Sequence, residues 1–228
     1  MGGHLRGEIA AQIAVEVMTG SFAREANPRI SAPARFLASI MALASEAIFC
    51  YAGEKGLPEI PGTTCVACLV QDETAWWAHA GDSRLYLMRE GGLLFRTRDH
   101  SLVWELVERG LVSEEEAEML PERSIIYNCL GASARLEVES GGEVPLKEGD
   151  TLFLCSDGLW SPLKTGEIVA AFRQPPDAAL RMLMVEAESR EGSTSDNVTG
   201  IVARYLDAAP GPAAGTGQAA TFFADLDG

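Results

Sequence analysis

The order in which hydrophobic periods succeed one another limits this chain more than any other property. Two helical stripes come first. Ile9, Ile13 and Val17, with Phe22 beyond, mark a helix over 8–22; Phe36, Ile40, Leu43, Ala47 and Tyr51 mark a longer one that Pro33 opens and that ends near Gly53 or Gly56. Strand patterns then follow at 62–70, 74–80 and 84–88, with turns at Gln71-Asp72-Glu73 and Asp82-Ser83, and Glu90-Gly91-Gly92 turns into a fourth at 93–97. A short helix over 102–109 is stopped by Gly110, and Ser113 with Glu116 has the spacing of a capping box for the next helix. Strands are expected again at 135–139, 151–155 and 198–205, with helices at 165–172 and 176–189 before the last. Strands arrive in runs, not in strict β-α-β alternation. That favours antiparallel sheets with helices on their outer faces, an α+β layered domain over 1–206. From 207 to 228 the periodicity is lost in an Ala/Gly/Pro-rich stretch that reads as a flexible tail.

At 228 residues and 47% hydrophobic content the chain can bury a proper core. A net charge of −15 argues against nucleic acid and anionic membrane as partners. The apolar stretch 33–53 carries Arg35 and Glu46, which leaves too short an uncharged run for a membrane span. No basic run followed by an apolar core opens the chain, so a cytoplasmic location is expected. The five cysteines are odd in number and lie in apolar segments, which fits buried thiols in a reducing compartment. Cys65-x-x-Cys68 has half the spacing of a zinc site but no matching second pair.

Chemistry is carried by three aspartates in three turn-like tetrapeptides, each beside an apolar run. Asp82 lies in Gly81-Asp82-Ser83-Arg84, Asp157 in Ser156-Asp157-Gly158-Leu159 and Asp196 in Ser195-Asp196-Asn197-Val198. Carboxylates at strand ends, distant in sequence but able to converge, suit hard divalent ions such as Mg²⁺ and Mn²⁺, which take oxygen ligands and keep several waters. Such an ion makes a bound water acidic and can aim it at phosphorus. Gly158 leaves room for a metal and its waters. Asp82, Asp157 and Asp196 are therefore the candidate metal ligands, and Asp157 and Asp196 the candidate catalytic pair. Each turn alone is an ordinary turn former; their joint order makes the case. Other polar positions have plain readings. No Gly-x-Ser-x-Gly elbow surrounds Ser156. His79 reads as a satisfied core or sheet residue, Trp76-Trp77 as sheet packing, and the acidic segment 113–118 as a solvated face.

Taken in order, these segments resemble the metal-dependent protein phosphatases, the PPM family of type-2C-like serine/threonine phosphatases, in their bacterial form. Met1-Gly2-Gly3-His4-x-x-Gly7-Glu8 is similar to the end of the family's Asp-Gly-Met-Gly-Gly-His segment, and Gly62-Thr63-Thr64 to its Gly-Thr-Thr strand. His79-Ala80-Gly81-Asp82-Ser83-Arg84-Leu85-Tyr86 is similar to its most recognisable stretch; Asp99-His100-Ser101, Leu130-Gly131, Asp150-x4-Cys155-Ser156-Asp157-Gly158-Leu159 and Ser195-Asp196-Asn197-Val198-Thr199 follow in the family's order.

The resemblance implies a four-layer α/β/β/α sandwich of two antiparallel sheets flanked by helices, with metals in a cleft at one end. It implies that Asp157 and Asp196 hold the second ion of a Mn²⁺ or Mg²⁺ pair, and that Asp82, with Asp157 nearby, holds a third. A metal-activated water would attack phosphoserine or phosphothreonine in a phosphorylated protein, the product of a serine/threonine kinase, with no phosphoenzyme. The segment from Asp99 to about Leu130 would include a mobile flap. The family's first strands, with a phosphate-gripping Arg and a bridging Asp, fall before the residue matching Met1, so the resemblance is to an N-terminally truncated member. Two readings follow: Met1 is an internal residue of a longer active enzyme, or the chain is an inactive phosphoprotein-binding or regulatory domain of the same fold.

Overall fold

The computed structural model describes residues 6–117, 120–132, 135–192, 196–206 and 220–225. They form an α+β fold with two antiparallel sheets and helices. The chain resolves into two compact units, Met1–Ser83 with Arg98–Val144, and Arg84–Thr97 with Pro145–Gly228.

The first unit holds helices α1 (Gly7–Glu25) and α2 (Pro33–Glu54), strands β1 (Cys65–Gln71), β2 (Thr74–Ala80) and β5 (Glu139–Pro145) in the order β1-β2-β5, and the short helices α3 (Leu102–Glu108) and α4 (Glu114–Ala117). Both long helices bury a face rotated from the expected one. In α2 the buried line is Phe36, Leu37, Ile40, Met41, Ala44, Ile48 and Ala52, while Leu43 is exposed. In α1 the buried positions are Ala10, Ala14 and Ser21, with Ile13 and Val17 only partly covered. Full burial of a side chain such as Ile48 contributes about 2 kcal/mol. By length and composition alone α2 would suit a membrane; here one of its faces is buried in the core of the first unit.

The hairpin between β1 and β2 turns through Asp72 and Glu73, both at positive φ, as a two-residue loop that matches strand twist requires. The strand expected at 135–139 is displaced. Leu136 and Val138 pack on the core outside any ladder, and β5 starts only at Glu139. Its Gly141 and Gly142 let the strand cross the tryptophans. A Cβ on Gly141 would lie 2.9 Å from the Trp77 ring, and one on Gly142 2.5 Å from the Trp76 Cα.

The second unit is a five-stranded sheet in the order β4 (Gly92–Arg96), β3 (Arg84–Arg89), β6 (Thr151–Cys155), β7 (Thr199–Arg204) and β8 (Ala220–Asp225), every pair antiparallel. Helices α5 (Asp157–Trp160), α6 (Thr165–Ala171) and α7 (Pro176–Glu191) belong to the same unit. Its core gathers Tyr86, Phe153, Leu159, Ile168, Leu180 and Met184. Within the stretch expected as a tail, Ala220–Asp225 forms a strand that pairs antiparallel with β7. The remainder of 207–228 lies outside the described residues. Not every thiol is buried as expected, because Cys50 sits on the outer face of α2 and is exposed. Burial pushes the Cys65 and Cys68 thiols up to about 12, so both stay protonated.

Candidate functional site

In the second unit β6 ends at Cys155 and β7 begins at Thr199, adjacent antiparallel strands whose ends bring two loops together. Ser156 fastens them. Its backbone N–H donates to Thr199 O (3.1 Å), its hydroxyl donates to Asn197 O (3.2 Å), and the same hydroxyl oxygen accepts the Thr199 N–H (3.1 Å). Gly158 permits the closest approach: a Cβ there would lie 2.5 Å from Asn197 O and 3.3 Å from Asp196 O. Asp157 and Asp196 thus lie on neighbouring loops, near enough for the Asp196 charge to act on Asp157. Each carboxylate takes a neighbouring backbone N–H, Asp157 Oδ1 from Gly158 (3.0 Å) and Asp196 Oδ1 from Asn197 (2.8 Å). Burial first, and then the charge of Asp196, push the Asp157 carboxyl above its ordinary value. Two acidic groups held together at this electrostatic cost are a fitting oxygen donor set for a hard divalent cation, which would offset it.

Asp82 belongs to the first unit. It is 4% exposed and follows Gly81, whose φ of +106° is open only to glycine and whose added Cβ would meet Thr64 Cγ2 at 2.5 Å. The hydroxyls of Ser83 and Thr64 are 2.8 Å apart. The segment matching Met1 to His4 lies outside the described residues.

A third group, absent from the sequence expectations, is His79, His100 and Glu139, whose ligand atoms all lie within 4.8 Å of one another. Hydrogen bonds decide its chemistry. Asn128 pairs both ways with the Glu137 backbone, Nδ2 donating to Glu137 O (2.6 Å) and Oδ1 accepting the Glu137 N–H (3.1 Å), so its amide orientation is fixed. Its Nδ2 also faces His100 Nδ1 at 2.6 Å. His100 Nδ1 therefore accepts, and the ring proton is on Nε2, 3.6 Å from Glu139 Oε2. That N–H holds the Glu139 carboxyl below its ordinary value. His79 Nε2 lies 2.7 Å from Arg98 O and so donates, leaving Nδ1 buried without a hydrogen-bond partner. His79 is fully buried but only half satisfied, and burial lowers its pKa. The two rings stack at 4.6 Å. With both Nε2 atoms protonated and His100 Nδ1 occupied, His79 Nδ1 is the one ring nitrogen left to ligate, so the trio is a hydrogen-bonded brace and not a three-ligand metal site. Its legible traces in the sequence are His79 ahead of Gly81-Asp82 and Asp99-His100-Ser101 ahead of α3, where Ser101 caps the Trp104 N–H (3.3 Å).

The model of the family described as protein phosphatase 2C matches residues 1–195. The chain belongs to the protein phosphatase 2C family. The serine/threonine phosphatase stp of Listeria monocytogenes is 30% identical over 201 residues, which cover 87% of this chain and 79% of that one. The crystal structure of the serine/threonine phosphatase PstP/Ppp of Mycobacterium tuberculosis is 31% identical, with a TM-score of 0.78, over 90% of this chain and 85% of that chain. A catalytic domain of PstP solved in complex with two manganese ions is 29% identical, with a TM-score of 0.75, over 91% of this chain and 85% of that one. This protein phosphatase 2C member therefore resembles protein serine/threonine phosphatases, one of which binds manganese.

Proposed function

We propose that the chain hydrolyses phosphoserine and phosphothreonine esters in proteins phosphorylated by a serine/threonine kinase, with Mn²⁺ or Mg²⁺ held by Asp82, Asp157 and Asp196. The single observation that carries this reading is the pairing of Asp157 with Asp196 at the joined ends of β6 and β7. A four-layer α/β/β/α arrangement is part of the same proposal, as is a cytoplasmic location. When bound, the ion makes a water acidic near neutral pH and neutralises phosphoryl charge. The chain's own contribution is to hold the donors still. Ser156 sets the spacing of the two loops, the Gly158 and Asn197 N–H groups orient one oxygen of each carboxylate, and Gly158 keeps the approach open. Ser156 is thereby a tether, which leaves it no part as a nucleophile.

The test is phosphate release from a phosphothreonine peptide by the purified protein with Mn²⁺ and after chelation. Turnover that needs Mn²⁺ and disappears in Asp157→Asn and Asp196→Asn supports the proposal. Full turnover in Asp157→Asn would end it. Mn²⁺ binding without turnover by this chain is compatible with both a longer active enzyme and a phosphoprotein-binding domain; the same result in an N-terminally extended chain would favour the phosphoprotein-binding reading.

A further inference from the structure

Gly81, the residue before Asp82, is gripped on both sides of its backbone by His100. Its N–H points at His100 Nδ1 (3.3 Å), and its carbonyl accepts the His100 backbone N–H (3.0 Å). The grip works only in one tautomer, since Nδ1 must be the acceptor. Asn128 selects that tautomer through the 2.6 Å contact described above, and its own orientation is fixed by Glu137. Glu139 faces the opposite nitrogen and favours the proton there. His100 is 7% exposed and Asn128 1%, so water competes little with these bonds. The ring is stacked on His79 at 4.6 Å and on Tyr127 at 5.9 Å, which fixes its plane. A second bond then continues the clamp: the Tyr127 N–H donates to His100 O (3.0 Å).

We propose that His100, held as the Nε2–H tautomer by Asn128, is a positioning residue that fixes the Gly81 peptide and so sets the Asp82 carboxylate for cation binding. This rests on the reading of Asp82 as a metal ligand. His100 touches neither cation nor substrate; it acts through one peptide unit. Groups that orient ligands from behind commonly alter metal affinity by about 10–100-fold when removed. The rest of the brace is needed for the same end. An Asn128 amide turned the other way would draw the proton to Nδ1 and set it against the Gly81 N–H.

Three measurements on the full chain test this. First, the ¹⁵N shifts of the His100 ring in the metal-free wild type should report the Nε2–H tautomer; the Nδ1–H tautomer would overturn the proposal without any variant. Second, Mn²⁺ titrations followed by paramagnetic resonance should show that Asp82→Asn loses one ion. His100→Leu should weaken that same ion by about tenfold or more while leaving the others in place. Third, His100→Asn, whose Oδ1 falls near the position of Nδ1, should restore most of the affinity, which a purely space-filling role does not predict. If Asp82→Asn binds as many ions as the wild type, the reading of Asp82 is wrong, whatever His100→Leu does. If Asp82→Asn loses an ion that His100→Leu binds normally, the positioning proposal alone fails.

Discussion

Gly158 lies so close to Asn197 that a Cβ on the first would meet the carbonyl oxygen of the second at 2.5 Å. That contact sets how near the Asp157 loop can come to the Asp196 loop. Gly158→Ala must push the loops apart or strain them, since the obstructing atom is backbone and cannot swing aside. The expected cost is about 1–3 kcal/mol of stability, read by urea denaturation. Mn²⁺ affinity should fall with it, because the two carboxylates no longer share one ion. Unchanged stability and unchanged affinity together would show that the close approach has no consequence.

The same loops show what sequence could and could not reveal. Strands β2 and β6 fall where alternation and flanking turns put them, and Asp157 and Asp196 sit at the predicted strand ends. In α2 the expected Phe36 and Ile40 are buried but Leu43 is exposed and Ala44 is covered, and in α1 Ala10 and Ala14 are buried while Ile13 and Val17 are only partly covered; apolar size alone does not tell which side of the stripe packs inward. The strand expected at 135–139 starts only at Glu139 and runs on through Gly141 and Gly142, whose missing side chains leave room for the Trp77 ring and the Trp76 backbone, a tertiary contact that no local pattern encodes. The His100 brace depends on a tautomer chosen by Asn128, 28 residues away, and no local pattern encodes that pairing.

Asp157 links cation binding to pH. Its carboxyl titrates above the ordinary 3.8, from burial and then from Asp196. The folded chain thus keeps this proton to higher pH than the unfolded chain. The resulting penalty is absent below the unfolded value, grows as pH rises through the folded one, and is fully present above it. Metal-free Asp157→Asn should therefore be no less stable than the wild type at neutral pH and should lack this loss. Mn²⁺ at a hundred times its dissociation constant should stabilise the wild type by about 2.7 kcal/mol and the variant by much less. Urea titrations across acid to neutral pH, with Mn²⁺ or with chelator, check both. Equal stabilisation of the two proteins by Mn²⁺ would remove Asp157 from the ligand set.

Asp150 supports the second unit away from the site. Its two oxygens take the Arg89 fork at 2.9 and 2.7 Å, and Oδ2 also accepts the Lys147 N–H at 2.8 Å. Arg89 reaches on to Pro145 O (2.8 Å), so one carboxylate joins β3 to the turn that leads into β6. With Asp150 1% exposed, Asp150→Ala leaves the Lys147 N–H without its acceptor and the partly exposed Arg89 guanidinium with Pro145 O alone of these acceptors, and about 2 kcal/mol should be lost. Asp150→Asn keeps an acceptor for Lys147 and should lose less. Mn²⁺ stoichiometry should be unchanged in both, measured beside urea unfolding. A loss under about 1 kcal/mol in Asp150→Ala would mean that the pair behaves like a surface bridge.

Arg84 tests whether planarity or charge matters at the start of β3. Its guanidinium carbon lies 3.3 Å from the Trp160 ring centroid, and Nη1 donates to the Tyr86 hydroxyl at 3.3 Å. Both Arg84 and Trp160 are buried, at 4% and 5% exposed. A flat guanidinium can stack on the indole and still direct an N–H sideways to Tyr86. A lysine ammonium carries the same charge but cannot do both. Arg84→Lys should therefore cost about 1–2 kcal/mol, seen as a lower urea midpoint at unchanged slope. Charge alone would predict no difference between the two residues. If Arg84→Lys matches the wild type while the uncharged Arg84→Met loses stability, charge and not stacking is what β3 requires at this position.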